Sequence, residues 1–206
     1  MRRKIPLAIT LLLIAGAILY LQNPRLLPAW LGGGSGENDA VLGMIENPAQ
    51  DQVGLEVGKA APDFALRTLE GAVVRLSDFR GRQHVIVNFW ASWCGPCKVE
   101  MPDLEAVYRQ HKDQLVVLGV DLQESDADVR RFLSEEIQVS YPILMDDRGR
   151  VAQAYNKFAQ PTSFLIDKQG IIRSRKNGAY TSEELQQRVQ ELLAASDVSL
   201  HIEHTN

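Results

Sequence analysis

The chain has 206 residues, of which 45% are apolar and 23% charged, a composition that excludes a wholly disordered protein and suits one packed domain with appendages. Arg2, Arg3, Lys4 and Arg25 hold all the charge before residue 26, so the remainder carries 18 basic against 26 acidic residues, a net charge of −8. That balance argues against nucleic acid as a partner.

The first element in chain order is an apolar one. Ile5 to Leu21 contains no charged residue and follows three basic ones; as a helix it would extend roughly 26 Å, enough to cross a bilayer. The competing reading is a cleaved signal peptide, which needs a shorter apolar stretch and a small-residue cleavage site. Gln22-Asn23-Pro24-Arg25 follows instead. The expectation is one transmembrane helix over 5–21, making a single-pass protein of the cell membrane. Basic flanks stay on the cytoplasmic side, which leaves 1–4 inside and everything after Leu21 outside. Residues 22–56 read as a linker containing the flexible spacer Gly32-Gly-Gly-Ser-Gly36. A folded domain is expected over 57–194 and a polar tail over 195–206.

Within the domain, Phe64-Ala-Leu and Val73-Val-Arg-Leu flank a Gly-containing turn and suggest a hairpin. Val85 to Phe89 and Leu115 to Val120 are short β-branched runs, the pattern of strands buried on both faces, with a helix-length segment between them. Strand, helix, strand in that order is a parallel βαβ unit. Ser125 to Glu136 opens on an N-cap and an acidic first turn, and Val151 to Tyr155 is a shorter helix. Ser163–Ile166 and Ile171–Arg175 form a second hairpin around Gly170, and Thr181-Ser-Glu-Glu184 is a capping box before a last helix. The expected class is α/β: βαβ, a central helical insertion, then ββα.

The chain has two cysteines, both in Trp93-Cys94-Gly95-Pro96-Cys97. No structural disulfide can be built from the rest of the chain, so these thiols are present for reactivity. The motif falls where the strand ending near Trp90 turns into a helix. Unpaired N–H groups and the positive end of the helix dipole favour a thiolate there, making Cys94 the nucleophile. Pro96 wastes no N–H in the first turn, and the spacing brings Cys97 round to resolve a mixed disulfide from a more buried position. A zinc site needs two further ligands. There is no second CxxC, and His201 and His204 lie far off in the polar tail, so no metal is expected. Pro102 inside the helix should kink it. Trp93 is expected to be exposed beside Cys94.

Phe89-Trp-Ala-Ser-Trp-Cys-Gly-Pro-Cys-Lys98 with Glu100 and Pro102, together with Gln160-Pro-Thr-Ser-Phe-Leu-Ile-Asp167, resembles the thioredoxin superfamily, and more narrowly its membrane-anchored ResA/TlpA/DsbE-like branch. The resemblance covers roughly Val57 to Leu193. It implies a thioredoxin-like fold with an N-terminal hairpin extension. It also implies a cis peptide before Pro161, a redox-active Cys94–Cys97 disulfide in place of any cofactor, and a substrate surface made of Trp93, Gly95, Pro96, Gln160 and Pro161. Where cytosolic thioredoxin has a buried aspartate, this chain has Asn88, and an amide cannot relay a proton. The carboxylate must come from elsewhere: Glu100, next to Cys97 on one helix face, or Glu124, just past the end of the Leu115 to Val120 strand. Both match glutamates near the active site of ResA-like proteins.

The activity so implied is thiol:disulfide exchange on disulfide-containing proteins, with apocytochrome c as the favoured substrate during cytochrome c maturation. The compartment outside is oxidising, so electrons must come from a separate transmembrane thiol protein. Oxidation or isomerisation of secreted proteins is the alternative, although Gly95-Pro96 matches the low-potential thioredoxins. A peroxidase should carry Thr or Ser where Ala91 stands. A copper chaperone of this fold would space its cysteines one residue wider and add a distant histidine.

Overall fold

A computed structural model describes residues 43–44, 52–156 and 159–202. The predicted span at 5–21 lies outside them, and among the described residues no helix is long and apolar enough to cross a membrane. The elements are β1 (Gly43–Met44), β2 (Phe64–Thr68), β3 (Val73–Arg75), β4 (His84–Trp90), α1 (Gly95–His111), β5 (Leu115–Asp121), α2 (Asp126–Glu135), β6 (Ile143–Met145), α3 (Arg150–Ala154), β7 (Thr162–Ile166), β8 (Ile172–Asn177) and α4 (Ser182–Ile202). They build one mixed sheet in the order β1-β2-β6-β5-β4-β7-β8, with β3 also paired to β2.

The predicted βαβ unit is β4-α1-β5. Its strands are parallel and in register from His84 opposite Leu115 to Trp90 opposite Asp121. Both are buried along their whole length, because α1 and α4 pack on one face of the sheet and the turn at Leu76 with α3 and Tyr155 packs on the other. Alternation divides the core accordingly. Ile86, Trp90, Leu115 and Val117 join Cys97, Met101 and Leu104 of α1, while Val85, Val87, Phe89 and Leu118 join Phe64, Tyr155 and Phe164. Each such fully buried side chain contributes about 1.5–3 kcal/mol through lost apolar surface.

The hairpin β2–β3 closes through the Thr68 N–H donating to Ala72 O at 2.7 Å, around Gly71 at φ 88°. The β7–β8 hairpin turns at Gly170, φ 85°. Ser125 caps α2, its hydroxyl receiving the Asp128 N–H at 3.2 Å. The capping box before α4 is reciprocal: the Glu184 N–H reaches Thr181 Oγ1 at 3.2 Å and the Thr181 N–H reaches Glu184 Oε2 at 3.1 Å.

Three features differ from the sequence reading. The insertion is not purely helical, since β6 lies parallel to β5 and antiparallel to β2 and so joins the hairpin extension to the central sheet. The stretch read as linker contributes β1, whose two residues pair with Phe64 and Ala65; two residues carry no period to read. Helix α4 continues to Ile202, into the stretch read as tail. Pro102 is accommodated inside α1, which runs unbroken from Gly95 to His111.

Candidate active site

Cys94 is the N-cap of α1, in extended backbone at φ −87°, ψ 105°. Its sulfur receives the Cys97 N–H at 3.3 Å. A capping sulfur satisfies one of the orphan donors of the first turn, and on reduction the same N–H stabilises a thiolate. The two cysteines are joined as a disulfide with their Cα atoms 5.3 Å apart. Cys97 is the more enclosed, 1% exposed against 5% for Cys94. Trp93 stands 65% exposed next to the nucleophile, whereas Trp90 is fully buried against Phe132. Gly95 and Pro96 are exposed in the first turn of α1.

The peptide between Gln160 and Pro161 is cis. Pro161 enters β7, the antiparallel neighbour of β4, and its carbonyl accepts the Gly178 N–H at 2.7 Å. Gln160 and Trp93 line one open cavity of about 390 Å³ together with Leu122, Gln123, Gln153 and Asn156. Gln123 (φ 64°) and Asn156 (φ 47°) are the non-glycine residues with positive φ among those described. Backbone of that kind collects where a binding surface dictates it. The cavity edge is thus carboxamide-rich, able to donate to and accept from peptide groups.

Glu100 lies on the buried face of α1 with Cys97 and is itself 0% exposed. Its Oε1 accepts the Tyr180 N–H at 2.9 Å and its Oε2 accepts from Asn88 Nδ2 at 3.0 Å. Burial pushes its pKa up to about 7, outweighing those two donors and the nearby Lys176, which all favour the carboxylate. Asn88, 1% exposed, also reaches Ser163 Oγ at 2.9 Å, so one amide ties β4 to α1 and to β7. Position 88 and Glu100 are thus in direct contact, the amide holding the carboxyl.

Glu124 occupies the same sheet edge but is only part-buried. It holds the turn ahead of Cys94, receiving the Ser92 N–H at 2.6 Å and the Ser92 hydroxyl at 2.5 Å. Sequence reasoning missed its neighbour Asp121, the last residue of β5, which is 0% exposed and accepts the Glu124 N–H at 3.0 Å. An acidic residue closing an apolar run reads as the end of a strand in solvent. The signal that could have found it is the Asp-x-x-Glu spacing placed opposite the end of β4 in a parallel pair. Gln123, Gln153 and Asn156 were missed as well, since polar residues in loops carry no pattern. Among the described residues no group of His, Cys, Asp and Glu is arranged to hold a metal.

Comparison with known proteins agrees with this geometry. The model of the AhpC/TSA family matches residues 57–175. A thioredoxin-like protein, YneN, of Bacillus subtilis is 36% identical over 149 residues, 71% of this chain and 86% of that one. The thiol-disulfide oxidoreductase ResA of Geobacillus kaustophilus is 38% identical over 143 residues, 69% of this chain and 81% of that one. Among solved structures, a putative thiol:disulfide interchange protein DsbE from Chlorobium tepidum superposes with a TM-score of 0.63 at 34% identity, covering 68% of this chain and 99% of the other.

Proposed function

The chain belongs to the AhpC/TSA family of thioredoxin-like proteins and is a thiol-disulfide oxidoreductase, and from that premise we propose that it acts as a reductase of extracytoplasmic protein disulfides, with apocytochrome c as its substrate. The observation that carries the exchange chemistry is the placement of Cys94 at the α1 N-terminus and of the buried Glu100 carboxyl on the Cys97 face. That arrangement prepares one thiol to attack and the other to lose its proton. Gly95-Pro96 between the cysteines, as in low-potential thioredoxins, supports the reducing direction. Relatives named thiol-disulfide oxidoreductase support a disulfide substrate, the resemblance to the ResA/TlpA/DsbE-like branch implies apocytochrome c, and the apolar run at 5–21 supports a membrane anchor with the domain outside the cytoplasm.

The cycle begins from the dithiol. The Cys94 thiolate attacks one sulfur of the substrate disulfide; a Cys94–substrate bond forms and the substrate S–S bond breaks. The first substrate thiolate leaves and takes a proton from water. The substrate chain lies across Trp93, Pro96 and the residues at Pro161, with its peptide groups against the carboxamides of Gln123, Gln153 and Gln160. The Cys97 thiol then passes its proton to the Glu100 carboxylate and attacks Cys94 Sγ. The second substrate thiolate departs, leaving the Cys94–Cys97 disulfide. Two electrons have passed to the substrate, whose first thiolate is protonated by water and whose second takes the proton held on Glu100. A membrane dithiol protein restores the enzyme by the reverse exchange.

Two measurements test the reading. Cys97→Ser should arrest the cycle at the mixed disulfide, and mass spectrometry of the captured adduct should identify haem-binding CxxCH segments. Recovery of no protein adduct sinks the macromolecular substrate. A reduction potential above roughly −150 mV would place the pair among the oxidants and overturn the direction.

A further inference from the structure

Alternation along β5 carries Asp121 onto the same sheet face as Leu115 and Val117, the face that holds Cys94 and Cys97. In register it stands opposite Trp90. Its side chain is wholly enclosed. Oδ1 receives the Glu124 N–H at 3.0 Å, but Oδ2 meets no protein donor. Glu124, whose N–H is the donor to Oδ1, also acts on the Asp121 carboxyl through its own side chain. An enclosed carboxylate short of a donor and beside a second carboxylate is a costly arrangement. One proton resolves it, because O–H···O⁻ is then the bond between the two groups.

The surroundings say which group keeps that proton. Glu124 already receives the Ser92 N–H and hydroxyl, so its oxygens have donors while Asp121 Oδ2 has none. Asp121 is enclosed, and burial first, then Glu124, drive its pKa upward. From the other elements around it, β4 offers the neutral Trp90 indole. The β6 side offers Asp146, whose backbone N–H goes to Asp121 O at 3.3 Å and whose carboxylate is occupied by the Ala152 N–H at 2.8 Å. On α1, Glu100 is engaged by Asn88 and Tyr180.

We propose that Asp121 is a positioning residue: a single proton held between Asp121 and Glu124 fixes Glu124 on Ser92 and so sets the turn that presents Cys94. Ser92 lies two residues before the nucleophile, in the turn where the Cys94 N–H donates to Ala91 O at 3.1 Å. Loss of the proton sets two carboxylates against each other and loosens that turn. Presentation of Cys94 therefore weakens on the alkaline side, while ionisation of its thiol improves there. The inference concerns regulation of the site assigned above and rests on Cys94 being the attacking thiol, not on the identity of the protein substrate.

The test uses the reduced full chain and a small aromatic disulfide with a coloured thiol product. Cys94 attacks it, one aryl thiolate leaves, and the rate is followed from about pH 6 to about pH 10. The native chain should give a rate that climbs and then falls. Asp121→Ala removes the donor and should slow the reaction roughly tenfold near neutrality. Asp121→Asn supplies a permanent N–H to Glu124 and still accepts the Glu124 N–H; it should recover the rate lost in Asp121→Ala and abolish the alkaline fall. Infrared spectra should show a neutral carboxyl band in Glu100→Gln that persists above neutral pH and vanishes in Glu100→Gln/Asp121→Asn. The proposal is overturned if Asp121→Asn keeps the native pH profile, if it is folded but as slow as Asp121→Ala, or if that band is absent. None of these outcomes depends on apocytochrome c, so failure of the substrate assignment would leave them intact.

Discussion

Glu100→Gln is the perturbation whose size the structure fixes most directly. The carboxyl is 0% exposed, and burial raises it from an ordinary 4.5 to about 7. At about 1.36 kcal/mol per tenfold, that gap is worth about 3 kcal/mol. The folded state holds the proton more tightly than the unfolded chain, so the contribution is fully present below about pH 4.5. It is lost as pH rises, and is gone above about pH 7. An amide at this position does not titrate. Asn88 can turn its own amide over to accept from the new N–H2, with the Ser163 hydroxyl donating in place of accepting, so the node of hydrogen bonds survives. Urea unfolding of the disulfide form, in which neither cysteine titrates, measures the difference between variant and native stability at each pH. That difference should shift in favour of the variant by about 3 kcal/mol between about pH 4.5 and about pH 8.5. A shift of less than about 1 kcal/mol would mean that Glu100 is not held neutral by burial, and the proton-acceptor role would go with it.

Other outcomes follow from single contacts. Asn88→Asp would set a second carboxyl 3.0 Å from Glu100; the pair should retain one proton, and stability should fall steeply with rising pH in the same unfolding assay. Trp93→Ala removes an exposed ring, so melting should change by less than about 0.5 kcal/mol, while KM for a peptide disulfide rises and that for a small aromatic disulfide does not. Gly119 lets β5 pass the Trp90 indole: an added methyl would lie 3.2 Å from Trp90 Nε1 and 2.9 Å from Ile143 Cδ1. Gly119→Ala should therefore cost about 1–3 kcal/mol by overpacking, measured as a lower urea midpoint at unchanged slope.

Local chemistry was the part of this protein that could be read in advance. The turn into α1 is written in Pro96 and the capping Cys94, and the α4 start in Thr181 and Glu184, because caps act over three or four residues. β4 and β5 announce themselves as apolar runs because both faces are covered. β6 did not: its three residues belong to the sheet only because β5 and β2 flank them, and pairing between distant segments leaves no local period. The same distinction divides the site. Glu100 was legible from its helical spacing to Cys97. Asp121 was not, because its meaning depends on what encloses it, and enclosure is a property of the packed sheet.

Burial of Glu100 also explains why an ordinary carboxylate would serve this chemistry poorly. A thiol near about 8.5 handing its proton to a carboxylate near about 4.3 must climb about 5–6 kcal/mol. With the acceptor pushed up to about 7, the climb falls to about 2 kcal/mol. The same packing buries Cys97 to 1% exposure, and burial raises a thiol as it raises a carboxyl, so an acceptor left at its ordinary value would fall further behind its donor. A carboxylate at position 88 would upset that match by adding charge beside Glu100. An amide there supplies a hydrogen bond without charge, and the Tyr180 N–H completes the pair of donors that orients the carboxyl. The departure at Asn88 thus leaves Glu100 as one titrating group rather than one of two coupled ones.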